Sequence, residues 1–205
     1  MVYNEIELDV RELYDLLGQI ETKLDNPINL YALGVTALTI LNIKNSTRDV
    51  DFNIETKKHY QIFIRTLEDL GFESKNNNIR WVSQEGIAFD LFYGSNILGT
   101  DLLPDCLSKS RFIKKIGKVS IYTLSFEDII ISKLARSDER DLEDIKTIFE
   151  NEKIDIQYLT RRYKSTMDIS IVFGYNEKYV LFLKDLEKIG ISIKKEIFEE
   201  IKRWD

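Results

Sequence analysis

The chain has 205 residues, with 29 Lys and Arg against 35 Asp and Glu, one His and one Cys. A hydrophobic content of 43% is typical of a globular protein of one or two domains and excludes a disordered or collagen-like chain. A structural zinc site needs about four N or S ligands, so carboxylates would have to bind any metal here. The formal net charge of −6 argues against a protein that holds nucleic acid mainly by neutralising phosphates.

The sequence offers no sign of export or of membrane insertion. Its first residues lack the basic segment and apolar run of a signal peptide, and no apolar stretch approaches the roughly 20 residues that span a bilayer. We therefore expect a cytoplasmic protein that does not contact a membrane.

Alternating helical and strand patterns run through the first part of the chain. In chain order, the spacing predicts a helix within 6–24, a strand over 28–33, a helix over 36–43, a strand over 49–54, a helix over 57–70, and strands over 79–82 and 87–93. A hairpin is predicted over 112–122, with its turn at Gly117. After Thr123 every strong pattern is helical, over 126–136, 141–150, 155–164, 177–189 and 192–204.

This change of pattern predicts an α/β (α+β) fold in two parts. Residues 1–123 are expected to form an α/β core around a mixed sheet, and residues 124–205 a helical C-terminal region. Because no Pro-rich or Ser-rich linker separates the parts, the boundary rests on the change of element type alone.

Three aspartates stand inside otherwise apolar strand patterns. Asp49 and Asp51 are two residues apart, so on a strand they point to the same face, with Cα atoms about 7 Å apart. Asp90 lies in a run that is apolar on both sides, where an unpaired carboxylate would cost several kcal/mol. If its strand lies beside that of Asp49 and Asp51, the three acids converge on a site for Mg²⁺ or Mn²⁺.

A structural interpretation of these acids is also open. In it, Asp49 and Asp51 face solvent on an edge strand while Asp90 pairs with an Arg or Lys. Gly34 favours the functional interpretation, because a glycine between a strand and a helix lets a phosphate approach the helix N-terminus.

A group of cations follows in the helical region. Lys133, Arg136 and Arg140 are spaced so that they would share one face of a continuous helix, and that face could hold a triphosphate. Because Asp141 and Asp144 are equally close, a salt-bridged surface helix is the competing interpretation.

With these motifs assembled, the chain resembles the DNA polymerase beta-type nucleotidyltransferase superfamily. It resembles especially the minimal members of this superfamily, which are predicted bacterial and archaeal nucleotidyltransferases and the nucleotidyltransferase-like toxins of abortive-infection and toxin–antitoxin systems. The segments that carry the resemblance are Leu33–Leu38, Ser46–Phe52, Phe89–Phe92, Leu124–Asp128 and Lys133–Ile145. It implies a nucleotidyltransferase-like core and transfer of a nucleoside monophosphate from a nucleoside triphosphate to a hydroxyl of RNA, protein or a small molecule.

The resemblance also implies roles for single residues. Asp49 and Asp51 would bind two Mg²⁺ ions, and Asp90 would complete the catalytic metal site and help to deprotonate the attacking hydroxyl. Gly34 would line the triphosphate. Lys133 corresponds to the lysine that faces the nucleotide in toxin-like members, for which a cognate antitoxin is the expected partner.

Further residues of the same motifs complete the set. Arg140 is the second cation assigned to the nucleotide, and Asp141 and Asp144 match the acidic part of the downstream motif. Val35 stands where members of the superfamily carry a second small residue, Gly or Ser. A branched side chain beside the triphosphate would restrict the backbone and crowd the phosphates.

Other functions remain open at the level of sequence. The Val35 departure is compatible with a catalytically weak descendant that binds a nucleotide or a partner protein. A sugar transferase using Asp49 and Asp51 with Mn²⁺ is disfavoured, because the segment before these acids is short for a nucleotide-binding unit. A small metal-dependent hydrolase is also disfavoured, because the sequence has no further clusters of His or Asp.

Overall fold

The computed structural model describes residues 6–75, 79–94, 96–97, 100–170 and 173–204. The chain divides into two compact units, the first of Met1–Ile97 with Pro104–Ser125 and the second of Leu98–Leu103 with Phe126–Asp205. The predicted division into an α/β core over 1–123 and a helical region over 124–205 stays a prediction. The described part contains no helix long and apolar enough to cross a membrane.

A seven-stranded mixed sheet forms the first unit. Its strands are β1 (Ile28–Ala32), β2 (Asp49–Ile54), β3 (Glu73–Lys75), β4 (Arg80–Val82), β5 (Ala88–Tyr93), β8 (Arg111–Ile116) and β9 (Val119–Thr123). Two short strands, β6 (Asn96–Ile97) and β7 (Thr100–Asp101), lie outside this sheet. The strand order is β3-β4-β5-β2-β1-β9-β8, with β1/β9 and β2/β5 parallel and the other neighbours antiparallel. Strands β2 and β5 are therefore interior strands.

The described residues of this unit also form the helices α1 (Val10–Glu21), α2 (Gly34–Ile40) and α3 (Lys57–Asp69). Helix α1 begins at a capping box in which Asp9 accepts from backbone N–H groups and Glu12 accepts from the Asp9 N–H. Leu13 of α1 and Phe63 of α3 are fully buried, and the Phe63 ring meets Phe89 of β5 edge-on. The apolar residues whose spacing predicted these helices form the face that each helix buries.

From Phe126 onward, the described residues of the second unit form helices and the loops between them. The unit contains α4 (Phe126–Arg136), α5 (Glu139–Asn151), α6 (Ile156–Met167), α7 (Tyr175–Lys188) and α8 (Lys195–Ile201). Its core includes the stacked rings of Tyr163 and Tyr179, whose centroids are 4.3 Å apart, and Trp204 beside them. A mixed sheet followed by helices confirms the predicted fold class.

Candidate active site

The three predicted acids lie on adjacent interior strands. Parallel pairing of β2 with β5 sets Asp51 directly opposite Asp90, and Asp49 precedes Asp51 by two residues on β2. Residues paired across a sheet, and residues two apart on a strand, share a face, so the three carboxylates belong to one face. We call Asp49, Asp51 and Asp90 the acid row. The alternating residues Val50 and Phe52 are fully buried on the other face.

Arg80, for which the sequence indicated no role, binds two carboxylates of this row. Arg80 on β4 is paired in register with Asp90 on β5. Its guanidinium donates from Nη2 to Oδ1 of Asp49 at 2.6 Å and from Nη1 to Oδ2 of Asp90 at 3.0 Å. One guanidinium therefore bridges two of the three predicted acids.

The structure thus combines parts of both interpretations of the acids. Asp90 pairs with an arginine, as the structural interpretation expected, but β2 is not an edge strand, and the arginine also holds Asp49. The side chains of Arg80, Asp49 and Asp90 are 26%, 40% and 22% exposed, so water and solutes reach all three.

The acid row suits a hard divalent cation in its chemistry. Its donors are carboxylate oxygens on one face, and two of them already share one positive charge with Arg80. Within the described ranges, no three His, Cys, Asp or Glu side chains are grouped closely enough to hold a metal ion. The row is arranged around the guanidinium of Arg80, and the predicted metal-binding roles of Asp49, Asp51 and Asp90 stay predictions.

The turn before α2 is tied directly to β2. Gly34 is buried with φ of +48°, a backbone conformation that favours glycine, and begins α2 two residues earlier than predicted. The Thr36 hydroxyl donates to the Asp49 carbonyl and accepts from the Asp51 N–H, both at 2.9 Å. Val35 lies between Gly34 and Thr36 and is half-buried. Thr36 therefore fixes the backbone at two members of the acid row.

The predicted nucleotide ligand Lys133 lies in the second unit, inside a group of ion pairs. Its ammonium donates to Oδ1 of Asp141 at 3.0 Å and to Oδ2 of Asp144 at 2.6 Å, with the lysine side chain only 1% exposed. Arg136 adds two hydrogen bonds to Asp141, at 2.9 and 2.7 Å. We call Lys133, Arg136, Asp141 and Asp144 the buried ion cluster. The role of Lys133 toward a nucleotide stays a prediction.

Opposing effects act on the carboxyl group of Asp141. Burial by itself raises its pKa, but the hydrogen bonds from Arg136 and the charge of Lys133 outweigh burial and lower the pKa below its ordinary value. Asp141 is therefore held as a carboxylate.

The continuous cationic face considered for Lys133, Arg136 and Arg140 is not formed. Helix α4 ends at Arg136, and Asp138 caps a separate helix α5 by accepting from the Asp141 N–H at 2.9 Å. Asn, Asp and Ser favour helix N-termini, so Asp138 was the sequence signal for this break. Arg140 is exposed in the first turn of α5, and its predicted contact with a nucleotide stays a prediction.

A second buried ion pair anchors α4 to α6. Arg162 donates from Nε to Oδ1 and from Nη2 to Oδ2 of Asp128, both at 2.7 Å, with the two side chains 2% and 0% exposed. Such a two-pronged pair fixes the relative positions of both helices.

The part of the chain after Asp90 matches a known protein family. Residues 103–194, just under half of the chain, match the sequence model of a family described as "Nucleotidyltransferase of unknown function (DUF6036)". Over these residues the chain is similar to a nucleotidyltransferase family, which confirms the resemblance to nucleotidyltransferases found in the sequence. The matched segment contains the buried ion cluster and Arg140, whereas the acid row lies before it.

Solved structures of nucleotidyltransferase type resemble the chain more distantly. One, from Thermotoga maritima and described as a candidate nucleotidyltransferase, has 14% identity and a TM-score of 0.45, over 73% of this chain and 99% of its own. Another of the same description, from H. pylori, has 14% identity and a TM-score of 0.47, over 97% of this chain and 99% of its own. No curated protein matches the chain.

Proposed function

We propose that the chain is a divalent-cation-dependent nucleotidyltransferase that uses the acid row as its catalytic centre. In the proposed reaction, a hydroxyl of RNA, protein or a small molecule attacks the α-phosphorus of a nucleoside triphosphate. The new O–P bond forms as the bond to the bridging oxygen breaks, and pyrophosphate leaves. The hydroxyl proton passes to a carboxylate of the row.

One observation carries this proposal. Asp49, Asp51 and Asp90 lie on one face of adjacent strands, and a single cation already bridges two of them. Three carboxylates on one face of adjacent strands are costly unless positive charge is supplied, so the row is suited to binding cations. The match to a nucleotidyltransferase family supports the reaction class.

Each residue has a part in the proposed site. Asp49, Asp51 and Asp90 would hold Mg²⁺ or Mn²⁺, which would supply Lewis-acid activation of the attacking hydroxyl and neutralise charge on the departing pyrophosphate. Asp90 would accept the hydroxyl proton at a carboxylate oxygen. Thr36 keeps the Asp49 and Asp51 backbone in place through its two hydrogen bonds. Gly34 would line the phosphates beside Val35.

The second candidate is a catalytically weak member of the same fold that binds a nucleotide or a partner protein. Two observations favour it: Arg80 lies between Asp49 and Asp90, and the branched Val35 stands next to Gly34. In either case, a role as the toxin of a two-gene system, with a cognate antitoxin as partner, is part of the proposal.

A nucleotide-transfer assay tests the first candidate directly. Native protein is incubated with Mg²⁺ or Mn²⁺ and each of ATP, GTP, CTP and UTP labelled at the α-phosphate, with total RNA or protein as acceptor. We expect label transfer and pyrophosphate release with at least one nucleotide. The Asp49→Asn/Asp51→Asn double variant should lose both signals.

A binding measurement separates the two candidates. Mg²⁺ plus the nucleotide should raise the melting temperature of the native protein, since a ligand of the folded state stabilises it by mass action. The double variant should not respond, whereas the control Asp15→Asn/Asp69→Asn, which alters two exposed acids, should respond as the native protein does. A native shift without any transfer favours the binding protein, and an equal shift in the double variant contradicts both.

A further inference from the structure

We propose that Arg80 is the resident counter-ion of the acid row, and that a divalent cation enters the row by displacing the Arg80 guanidinium. This inference rests on the proposed function, because it concerns the same carboxylates. It makes Arg80 a positioning residue, which keeps the acids together in the metal-free protein and sets the affinity for the metal.

The geometry of Arg80 places its charge between the acids. Two different nitrogens of one guanidinium reach two different carboxylates, Asp49 at 2.6 Å and Asp90 at 3.0 Å. Arg80 is also the register partner of Asp90, so the β4–β5 ladder directs its side chain along the row. The planar fork of arginine can span two carboxylates, whereas a lysine presents a single point of charge.

A metal and the guanidinium would compete for the same charges. Both are cations that bind carboxylate oxygens, and their mutual repulsion at such short range opposes joint occupancy. The Arg80, Asp49 and Asp90 side chains are 26%, 40% and 22% exposed, so these ion pairs are partly solvated and can be exchanged. A displaced Arg80 side chain can regain hydration at the surface.

The acid row would otherwise be pushed apart in the absence of metal. Like charges on neighbouring sheet positions destabilise each other, and the Asp51–Asp90 pair is such a position. Arg80 offsets this repulsion, so the carboxylates are already on one face when the metal arrives.

Titration of metal-free protein with Mn²⁺ tests the exchange, by calorimetry or by the loss of the free-ion electron paramagnetic resonance signal. We expect Arg80→Gln to bind Mn²⁺ about tenfold more tightly than the native chain, because no guanidinium has to be displaced. Arg80→Lys should lie between the two. Arg65→Gln, which removes an exposed arginine of α3, should stay within about twofold of native because screening weakens distant charges.

The outcomes distinguish this inference from the proposed function. Native-like or weaker Mn²⁺ binding by Arg80→Gln, alongside measurable binding by the native chain, overturns the exchange and leaves the proposed function standing. Absence of Mn²⁺ binding in every protein overturns both.

A measurement on the unaltered chain covers the case in which Arg80→Gln fails to fold. The side-chain Nε–H signal of Arg80 is followed by NMR while Mg²⁺ is added to the metal-free native protein. We expect it to move toward the position of a solvated arginine as Mg²⁺ binds. A signal that stays unchanged at saturating Mg²⁺ contradicts displacement.

Discussion

Two groups of carboxylates in this chain are held by cations, but in opposite environments. In the acid row, Arg80 bridges Asp49 and Asp90 where all three side chains are more than a fifth exposed. In the buried ion cluster, Lys133 is 1% exposed and its partners Asp141 and Asp144 are 4% and 6% exposed. Solvent therefore reaches every member of the first group, whereas in the second it reaches Arg136, at 35% exposed, but not Lys133, Asp141 or Asp144.

The difference in burial sets how much free energy it costs to break each group of ion pairs. An exposed ion pair contributes about 0 to 1 kcal/mol, so it can be broken and remade as ligands come and go. Breaking a buried pair leaves an uncompensated charge and costs about 3 to 5 kcal/mol. The acid row is thus suited to exchange, and the buried pairs of the second unit to holding helices in place.

Breaking the Asp128–Arg162 pair should give the largest effect. Asp128→Ala removes both bonds to a guanidinium that is 2% exposed, and we expect unfolding free energy to fall by about 3 to 5 kcal/mol in urea titrations. The control Asp185→Ala breaks the exposed Lys188–Asp185 pair and should cost less than about 1 kcal/mol. Equal losses in the two variants would contradict the contrast.

Removing the Lys133 ammonium from the buried ion cluster should lower the unfolding free energy by less than Asp128→Ala does. Lys133→Met takes a charged hydrogen bond from both Asp141 and Asp144, while Arg136 still holds Asp141. We expect a loss of about 2 to 3 kcal/mol, because a hydrogen bond to a charged group is worth about 1.5 to 3 kcal/mol and the loss falls mainly on Asp144, since Asp141 keeps its arginine.

Arg140→Gln is the matched comparison, because Arg140 is exposed on α5. Its unfolding free energy should stay within about 0.5 kcal/mol of native. If Lys133→Met proves as stable as native and loses only the nucleotide-dependent melting shift, Lys133 faces the ligand, as the resemblance implies, rather than supporting the fold.

Acid should weaken the buried ion cluster in a defined direction. Because the folded pKa of Asp141 lies below the ordinary value of 3.8, its contribution to stability is complete above that value and is lost as pH falls through the lower folded pKa. The difference in unfolding free energy between native and Asp141→Asn should be constant near neutrality and shrink below about pH 4. Glu143→Gln, on the exposed side of α5, should follow the native curve; a parallel Asp141→Asn curve would refute the assignment.

The contrast between the two groups also explains what the sequence could predict. Alternation with period two around Asp49 and Asp51 predicted their strand and their shared face, and the apolar run around Asp90 predicted a second strand. That Asp90 joins the same face depends on the pairing of β2 with β5, which the sequence left open. The partner Arg80 depends on the register of β4 against β5, which sequence spacing alone does not determine.

In the second unit, helical periodicity predicted α4 and α5 but not which partners their charged side chains contact. Lys133 and Arg140 looked alike as cations on neighbouring helical turns. The break at Ser137 and Asp138 turns Lys133 toward Asp141 and Asp144, while Arg140 stays exposed. Asp138 is of a residue type that favours helix N-termini, so the break could have been predicted from the sequence. The burial of Lys133 depends on the packing of α4 against α5, α6 and α7, which spacing in the sequence does not determine.

The smallest expected effect concerns Val35, which tests whether the acid row exchanges ligands in a productive site. Val35→Ser removes the branch beside Gly34 and adds a hydroxyl, so we expect the rate of pyrophosphate release to rise by about three- to tenfold, the equivalent of one hydrogen bond of about 1 kcal/mol. Val35→Ala removes the branch without the hydroxyl, and Val35→Thr adds the hydroxyl while keeping the branch. Crowding by the branch predicts that Ser and Ala exceed Val and Thr, whereas a missing hydrogen bond predicts that Ser and Thr exceed Val and Ala. Robust native turnover that falls in Val35→Ser would instead show that valine belongs to a productive form of this turn.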